Sequence, residues 1–471
     1  MHLGDDLTHT SQKNSADDAV FTKGPWWREL NRYHWFVFVV AALGWLFDTM
    51  DQQLFNIARL PAIRTVLTNE LGHAPSTGEV QEYGGYATSI FLIGWGTGGL
   101  LFGVLGDLLG RVRSLMLTIL LYSLFTGLSA FSTSPFDFSV YRFLTGLGVG
   151  GEFAVGVSLV AEVMPDRARP FALGLLQALS AVGNITAALI GMLQGYLTQH
   201  GVIRGDYGWR GMFLVGTLPA LLTLLIMRRL KEPERWQALA AKSSAGQRLR
   251  AYFGELFGNP RWTRNALIGL LLASSGIIGL WGIGFFSIDL QRTVFRNQFE
   301  SSGLPKEQID GLVSFWAGMT SLTMNVGAFF GIYAFSIVTH SLGRKGTFAL
   351  SFVLALVSTA FVFWYFRTIA DVFWMIPIMG FCQLALFGGY AIYFPELFPT
   401  RLRSTGTSFC YNGARFVAAL GPTALGLLTN RVFREFPEPM RYAGVTMCAI
   451  FLLGLFVLPF APETQGQPLP E

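Results

Sequence analysis

The sequence predicts an all-α integral membrane protein of twelve transmembrane helices, arranged as two parallel six-helix halves. Three observations lead there. Of 471 residues only 13% are charged and 52% are apolar, with 42 Phe and 12 Trp, whereas a soluble domain carries about 25% charged residues. Apolar runs long enough to span a bilayer, about 20 residues each, recur from residue 35 to residue 461. Short polar signatures repeat at a separation close to half the chain. The apolar content excludes disorder. Three cysteines, Cys382, Cys410 and Cys448, exclude a disulfide-stapled fold; all lie in apolar runs and read as small buried hydrophobes. The net charge of +5 would suit nucleic acid, but the charges fall between apolar segments and not on one face, so no nucleic-acid partner is expected.

Residues 1–34 are polar and mixed in charge, without the basic start and apolar core of a cleaved signal peptide. Spans follow at 35–57, 83–106, 114–131, 138–160, 171–197 and 209–228, the first half. A polar, basic loop at 229–264 separates them from spans at 265–289, 312–338, 346–366, 373–394, 405–430 and 440–461, with a tail at 462–471. In lipid every backbone polar group must be paired internally, so these runs are helices. An even number of spans puts both termini on one side. The N-terminal segment, the central loop and the pairs Arg111/Arg113, Arg167/Arg169, Arg344/Lys345 and Arg401/Arg403 gather most of the 34 Lys and Arg there. The positive-inside rule makes that side the cytoplasm, in a plasma membrane. Arg59 and Arg64 follow span one and are assigned to an outer loop; Asp289 ends span seven, where it is expected to face water.

The repeat is specific. Glu162-Val-Met-Pro165-Asp-Arg167-Ala-Arg169 after span four matches Glu396-Leu-Phe-Pro399-Thr-Arg401-Leu-Arg403 after span ten, at an offset of 234. Gly110-Arg111 after span two matches Gly343-Arg344 after span eight, at an offset of 233. Parallel repeats with a site at their interface are a transporter architecture.

The stretch Gly103-Val-Leu-Gly-Asp107-Leu-Leu-Gly110-Arg111-Val-Arg113 resembles the loop signature of the major facilitator superfamily. The resemblance implies a cytoplasmic gate latch, with Asp107 meeting an Arg or the positive end of a helix. In the second copy His340 stands at the Asp position, so no second latch is expected. Arg142-Phe-Leu-Thr-Gly146-Leu-Gly148-Val-Gly150-Gly151-Glu152 resembles a motif of the same superfamily. Its glycines would let helices pack closely; no strand precedes them, which rules out a nucleotide fingerprint. Lys231-Glu-Pro-Glu-Arg235-Trp236 and Pro462-Glu463-Thr464-Gln-Gly466 resemble tags that close each half in the sugar-porter and related metabolite branches. The resemblance covers essentially the whole chain.

Ionisable groups inside spans are costly and mark function. Asp48-Thr-Met-Asp51 in span one looks like the D-G-x-D of aromatic-acid and organic-acid proton symporters, without its Gly. The i,i+3 spacing puts both carboxylates on one face, where they could bind and release a proton; the alternative is a helix-end pair that stays ionised near the outer surface or pairs with Arg. Glu152 matches the Gly-Gly-Glu of metabolite-symporter branches and must be protonated or paired. Arg142 is too far along the same helix to meet it. Arg415, from span eleven, is the other candidate partner, and either grips a substrate carboxylate in a bidentate contact or ties helices together. Asn184, Asn325, Gln383, Asn412 and Trp281 are further candidates to contact substrate; Gln177 and the aromatics Trp45, Trp95, Phe285, Phe286, Trp316 and Tyr390 either line a cavity or only pack. Span seven offers Ser274 and Ser275 but no Gln, unlike the hydroxyl-binding span of sugar porters.

These features favour a monomeric secondary transporter in the lipid bilayer, moving a small organic or aromatic acid with protons by alternating access. Sugar transport, drug export and a non-transporting sensor on the same fold are the alternatives. No HExxH, His cluster, nucleophile elbow or Walker loop is present, so neither an enzyme, a metal site nor an ATP-driven pump is expected. No cofactor beyond a coupling proton is implied.

Overall fold

The structure, a computed structural model, describes residues 26–165, 168–221, 223, 226, 230–232, 254–399, 402–465 and 467. Among them every regular element is helical. The first half contains α1 (Arg32–Leu71), α2 (Thr77–Leu109), α3 (Arg111–Ser129), α4 (Pro135–Val163), α5 (Arg169–Gln199) and α6 (Gly205–Val215). The second contains α7 (Pro260–Ile277), a π-helical turn (Ile278–Gly284), α8 (Ser287–Glu300), α9 (Lys306–Tyr365) and α10 (Met375–Glu396). It continues through α11 (Arg403–Ala418), α12 (Leu420–Leu427), a second π-turn (Leu428–Val432), α13 (Pro439–Met447) and α14 (Ile450–Val457). Six of the described stretches are long and apolar enough to cross a membrane. The protein is an all-α integral membrane protein.

Local sequence sets the helix ends. Ser76 opens α2 by accepting from the Glu79 amide while the Glu79 carboxylate takes the Ser76 amide at 2.8 Å, a reciprocal cap that satisfies two orphan donors. Ser134 and Asp137 do the same for α4, with Pro135 in the first turn where its missing N–H costs nothing. The apparent 60-residue α9 is two helices: Gly343 breaks it with φ 75°, a left-handed value that glycine adopts without a steric penalty.

Helix α1 runs well past the apolar stretch ending at residue 57, to a left-handed cap at Gly72. Pro61 lies inside it and has no N–H to give the Ile57 carbonyl. That carbonyl is satisfied from the other half, by Arg292 Nη2 at 2.7 Å.

The two halves are packed by one rule. On α2, a Cβ at Gly94 or Gly98 would lie 2.2 Å from the Phe143 carbonyl oxygen or 1.9 Å from that of Leu147. On α4, Gly146 and Gly150 meet the carbonyls of Phe91 and Trp95 at 2.3 and 2.0 Å in the same sense. In the second half Gly327 and Gly331 of α9 meet Pro377 and Phe381 of α10 at 1.9 and 2.1 Å, and Gly380 meets Met324 at 2.2 Å. Gly94 to Gly327 is an offset of 233 and Leu147 to Phe381 one of 234, the offsets of the polar signatures. The duplication read from loop motifs is therefore also a duplication of backbone contact, which in lipid supplies the packing that the hydrophobic effect cannot.

Between the halves α5 lies against α9. A Cβ on Gly195 would sit 2.4 Å from the Phe315 amide nitrogen, and one on Gly311 would sit 2.4 Å from that of Gln199. Nearer the middle Asn184 Nδ2 donates to Asn325 Oδ1 at 2.8 Å, and Asn325 Nδ2 donates to the Ser321 carbonyl at 2.9 Å. Interhelical hydrogen bonds in lipid are worth about 0.6 kcal/mol on average, with about 1.7 the largest. Asn184→Ala should lower the unfolding temperature of detergent-solubilised protein slightly and leave it folded; a loss as large as that of a packing glycine would contradict this size.

Candidate functional site

Three carboxylates converge in the interior of the first half. Asp48 and Asp51 are fully buried on α1, and Glu152 is buried on α4. Glu152 reaches α1 because Gly44, one turn before Asp48, leaves room: a Cβ there would be 2.6 Å from Glu152 Oε1. The charges that act on Asp48 are those of Glu152, Asp51 and Arg415. Its hydrogen bond is from Gln52 Nε2, at 3.1 Å, and its other oxygen has no partner. Neither oxygen of Asp51 is hydrogen-bonded, nor is Glu152 Oε2, and the buried Tyr122 hydroxyl beside these acids is equally unpartnered. Among the described residues no cation lies within ion-pair distance of any of the three. The alternative of a helix-end pair near the outer surface thus fails, since the acids sit in mid-helix, shielded from water.

Two guanidiniums border the cluster. Arg142 is fully buried and does not meet Glu152. It donates to Ser129 Oγ at 2.6 Å and Thr145 Oγ1 at 3.1 Å, lies 4.8 Å from the Phe213 ring centre, and has Asp51 as its charge partner. Arg415 comes from the second half. It donates to the Tyr411 carbonyl and to Asn412 Oδ1, stacks 4.2 Å from the Trp95 ring of the first half, and keeps an unpartnered Nε. Asn412 itself fits over Gly99 of α2. Beside them Trp281, carried on the π-turn of span seven, packs edge-on against Trp95 and Phe285, with Phe91 5.8 Å away. Such π-turns recur at functional sites. An aromatic wall, one guanidinium from the opposite half and a group of acids therefore meet where the halves join.

The other candidates divide. Asn184 and Asn325 bond to each other across the halves, joined through Ser321 to Gln53 of α1, which donates to Ser321 Oγ at 2.5 Å. Gln383 is occupied inside the second half, donating to Thr359 Oγ1 at 2.7 Å. Tyr390 donates to the Leu272 carbonyl at 2.7 Å and stacks on Phe394, which is core packing. Arg167 and Arg401 lie outside the described residues, as do the side-chain surroundings of Gly103, Asp107, Glu162, Arg169, Gln177 and Arg403. Arg111 covers Gly106. Two clefts, of about 630 and 1030 Å³, open beside Arg264 and Phe460 and touch none of the acids.

At the bundle end carrying residues 232 and 463, each half is closed by a glutamate. Glu232 accepts from the Val112 and Arg113 amides at 3.1 and 3.2 Å, and fills the space a Cβ on Gly110 would need. Glu463 accepts from the Arg344 and Lys345 amides at 2.9 and 3.0 Å. Although His340 stands at the Asp position, the second half does carry an anionic partner for its Arg. Arg344 forms a two-armed salt bridge to Glu396, at 2.8 and 3.2 Å, with Thr464 Oγ1 donating to the same carboxylate. The anion comes from the end of span ten and not from the His340 position, whose carbonyl only accepts from Gln465.

Partial burial works to raise the Glu463 carboxyl, but the amides of Lys345, Arg344, Gln465 and Thr464 outweigh it and hold it below its ordinary value of 4.5. A carboxylate held low stabilises the fold at pH above its unfolded value and loses that contribution as pH falls through the lowered one. The Glu463 cap should therefore be intact through neutral and mildly acidic pH and weaken only below 4.5. Amide exchange of Lys345 followed from pH 7 downward checks this; loss of protection already near pH 6 would contradict it.

Asp289 and Arg59 are the largest departure from expectation. Asp289 does not face water and Arg59 is not in a loop: they form an ion pair between α8 and α1 with both side chains buried. The long α1 places Arg59 inside the bundle, about 39 Å from Tyr33 at 1.5 Å per residue, and Tyr33 is bonded to Lys231 at the glutamate-capped end.

The model of the family described as "Sugar (and other) transporter" matches residues 39–254. A putative metabolite transport protein of Haemophilus influenzae is 30% identical over 446 residues, 94% of this chain and 99% of that protein. A cis,cis-muconate transport protein of Acinetobacter baylyi is 28% identical over 350 residues, 74% of this chain and 78% of that one. The crystal structure of a D-xylose-proton symporter superposes with a TM-score of 0.68 at 18% identity, over 92% of this chain and 99% of that one, which shows the fold.

Proposed function

The chain belongs to the major facilitator superfamily, in the group of sugar and other transporters, whose members are carriers and not enzymes, and on that premise we propose that it moves a small organic acid across the membrane together with a proton. The observation that carries this reading is the acid group Asp48, Asp51 and Glu152, buried without an ion pair next to a guanidinium from the other half. Buried ionised carboxylates without partners cost several kcal/mol each, so at least one of the three holds a proton in this arrangement. Asp51 has Arg142 to offset its charge; Asp48 and Glu152 have only each other and the more distant Arg415. A substrate carboxylate at Arg415, with Asp51 facing Arg142 and protons on both Asp48 and Glu152, would leave the loaded centre neutral, the state in which the halves can rock past each other, so loading takes up one proton beyond the one held when empty.

The wall of Trp95, Trp281, Phe91 and Phe285 suits a flat, unsaturated acid, and the muconate carrier among the relatives supports that class. The clustering of Lys and Arg supports a cytoplasmic side for both termini and the Glu232 and Glu463 caps in a plasma membrane, with the buried Arg59–Asp289 pair toward the outer end of the bundle.

The test is purified protein in liposomes that hold a pH dye, given cis,cis-muconate, benzoate, nicotinate and xylose in turn. An acid that enters and acidifies the lumen supports the proposal. Xylose entry without entry of any acid overturns the substrate class, and acid entry with no pH change overturns the coupling.

A further inference from the structure

Arg59, Asp289 and Arg292 form a buried cluster with two cations and one anion. Asp289 is 2% exposed, Arg59 0% and Arg292 9%. Arg59 donates Nη2 to Asp289 and Nη1 to Thr88 Oγ1 at 3.3 Å, and lies 3.7 Å from the Phe286 ring centre; its Nε has no partner. Arg292 spends Nη2 on the Ile57 carbonyl that Pro61 leaves free. Arg64 and Arg296 add further positive charge to Arg292, and of these Arg296 is neutralised by Asp310 at 2.5 Å. The chain thus holds an uncompensated positive charge, with unused N–H donors, inside the contact that joins α1 and α2 of one half to α8 of the other. Removing such charges from water costs several kcal/mol unless an anion accompanies them.

We propose that Arg59 and Arg292 form a recognition station for the carboxylate of an organic acid at the end of the bundle away from Glu463, where the acid displaces Asp289. The station rests on the organic-acid reading above and adds to it a first binding step, distinct from Arg415. Planar guanidiniums take a carboxylate in paired hydrogen bonds. The same carboxylate that binds also breaks the Arg59–Asp289 tie between the halves, so recognition and opening at this end are one event. Clustered positive charge also draws anions toward this end of the bundle.

The experiment is equilibrium binding of benzoate and of its uncharged analogue benzamide to the full-length protein in detergent, read by Trp fluorescence. Asp289→Asn removes the competing carboxylate and should tighten benzoate binding about tenfold, roughly 1.4 kcal/mol, a gain that misfolding cannot imitate. Arg292→Gln should weaken benzoate by a similar factor. Benzamide affinity should move with neither, and Arg434→Gln, on an exposed residue, should change nothing. If the parent protein binds and transports benzoate but Asp289→Asn leaves its affinity unchanged, or shifts benzamide equally, the station is refuted and the organic-acid reading stands. If the parent binds and transports none of the acids tested, both are refuted.

Discussion

In liposomes, Asp48→Asn and Glu152→Gln are each expected to abolish substrate-driven proton entry while substrate exchange across the same membrane continues. The reasoning is geometric. The two carboxylates come from α1 and α4, meet over Gly44, and share no cation within ion-pair distance. Their charges interact directly, so a proton on one is felt by the other, and the pair titrates as a unit. An amide at either position is permanently neutral: it fits the space and removes the proton's seat. Exchange of substrate for substrate needs no change of protonation and survives. Because the two act together, the double variant should be no worse than either single one. Asp51→Asn differs in kind. It strips Arg142 of its charge partner in a pocket where Arg142 is otherwise held by Ser129, Thr145 and three aromatic rings, so it should also lower thermal stability. Proton entry surviving Asp48→Asn and Glu152→Gln, and lost only in Asp51→Asn, would move the proton to the Asp51–Arg142 pair.

What the sequence conveys about this site is what lies within one helix. Asp48 and Asp51 are legible as a pair because three residues make nearly one turn, and Glu152 because a charge follows a run of glycines inside an apolar span. That Glu152 comes close enough for its charge to act on Asp48 is not legible. The contact depends on Gly44, whose role is only the space it leaves. Hydropathy ends at residue 57 and so points Arg59 to a loop, yet the helix continues, and the charge is met by a partner 230 residues away. One signal is available: Pro61 strips Ile57 of its helical donor, and Asp289 and Arg292 stand three apart on one face, ready for a cation and a carbonyl. The Arg344–Glu396 pair is hidden for another reason. The motif in the first half leads the eye to the His340 position for an acid, although the repeat already aligns Glu396 with Glu162, and it is Glu396 that Arg344 binds.

The glycine contacts carry the other large prediction: Gly98→Val or Gly331→Val should leave no monodisperse protein after extraction, while Gly211→Ala is neutral. Adding a methylene to a packed core costs about 1–3 kcal/mol where the neighbours can shift. Here the neighbour is a carbonyl oxygen of the facing helix, 1.9 Å from the new Cβ at Gly98 and 2.1 Å at Gly331, with Gly94 and Gly327 in the same seam. A carbonyl moves only with its helix, so relief requires parting α2 from α4, or α9 from α10, along the whole interface. In water, burial of apolar area could offset part of that; in lipid the tails already solvate the separated faces, and close packing is what holds them. A Cβ on Gly211 would meet nothing within 4 Å, so that position controls for helix propensity alone. The two lethal positions lie 233 residues apart and in different halves. If Gly98→Val destroys the protein and Gly331→Val does not, the halves are unequal in packing, and the second half is free to deform as the carrier cycles; equal loss makes each half a rigid body, and the motion then belongs to the contacts between them, where Arg59 meets Asp289 and Arg415 meets Trp95.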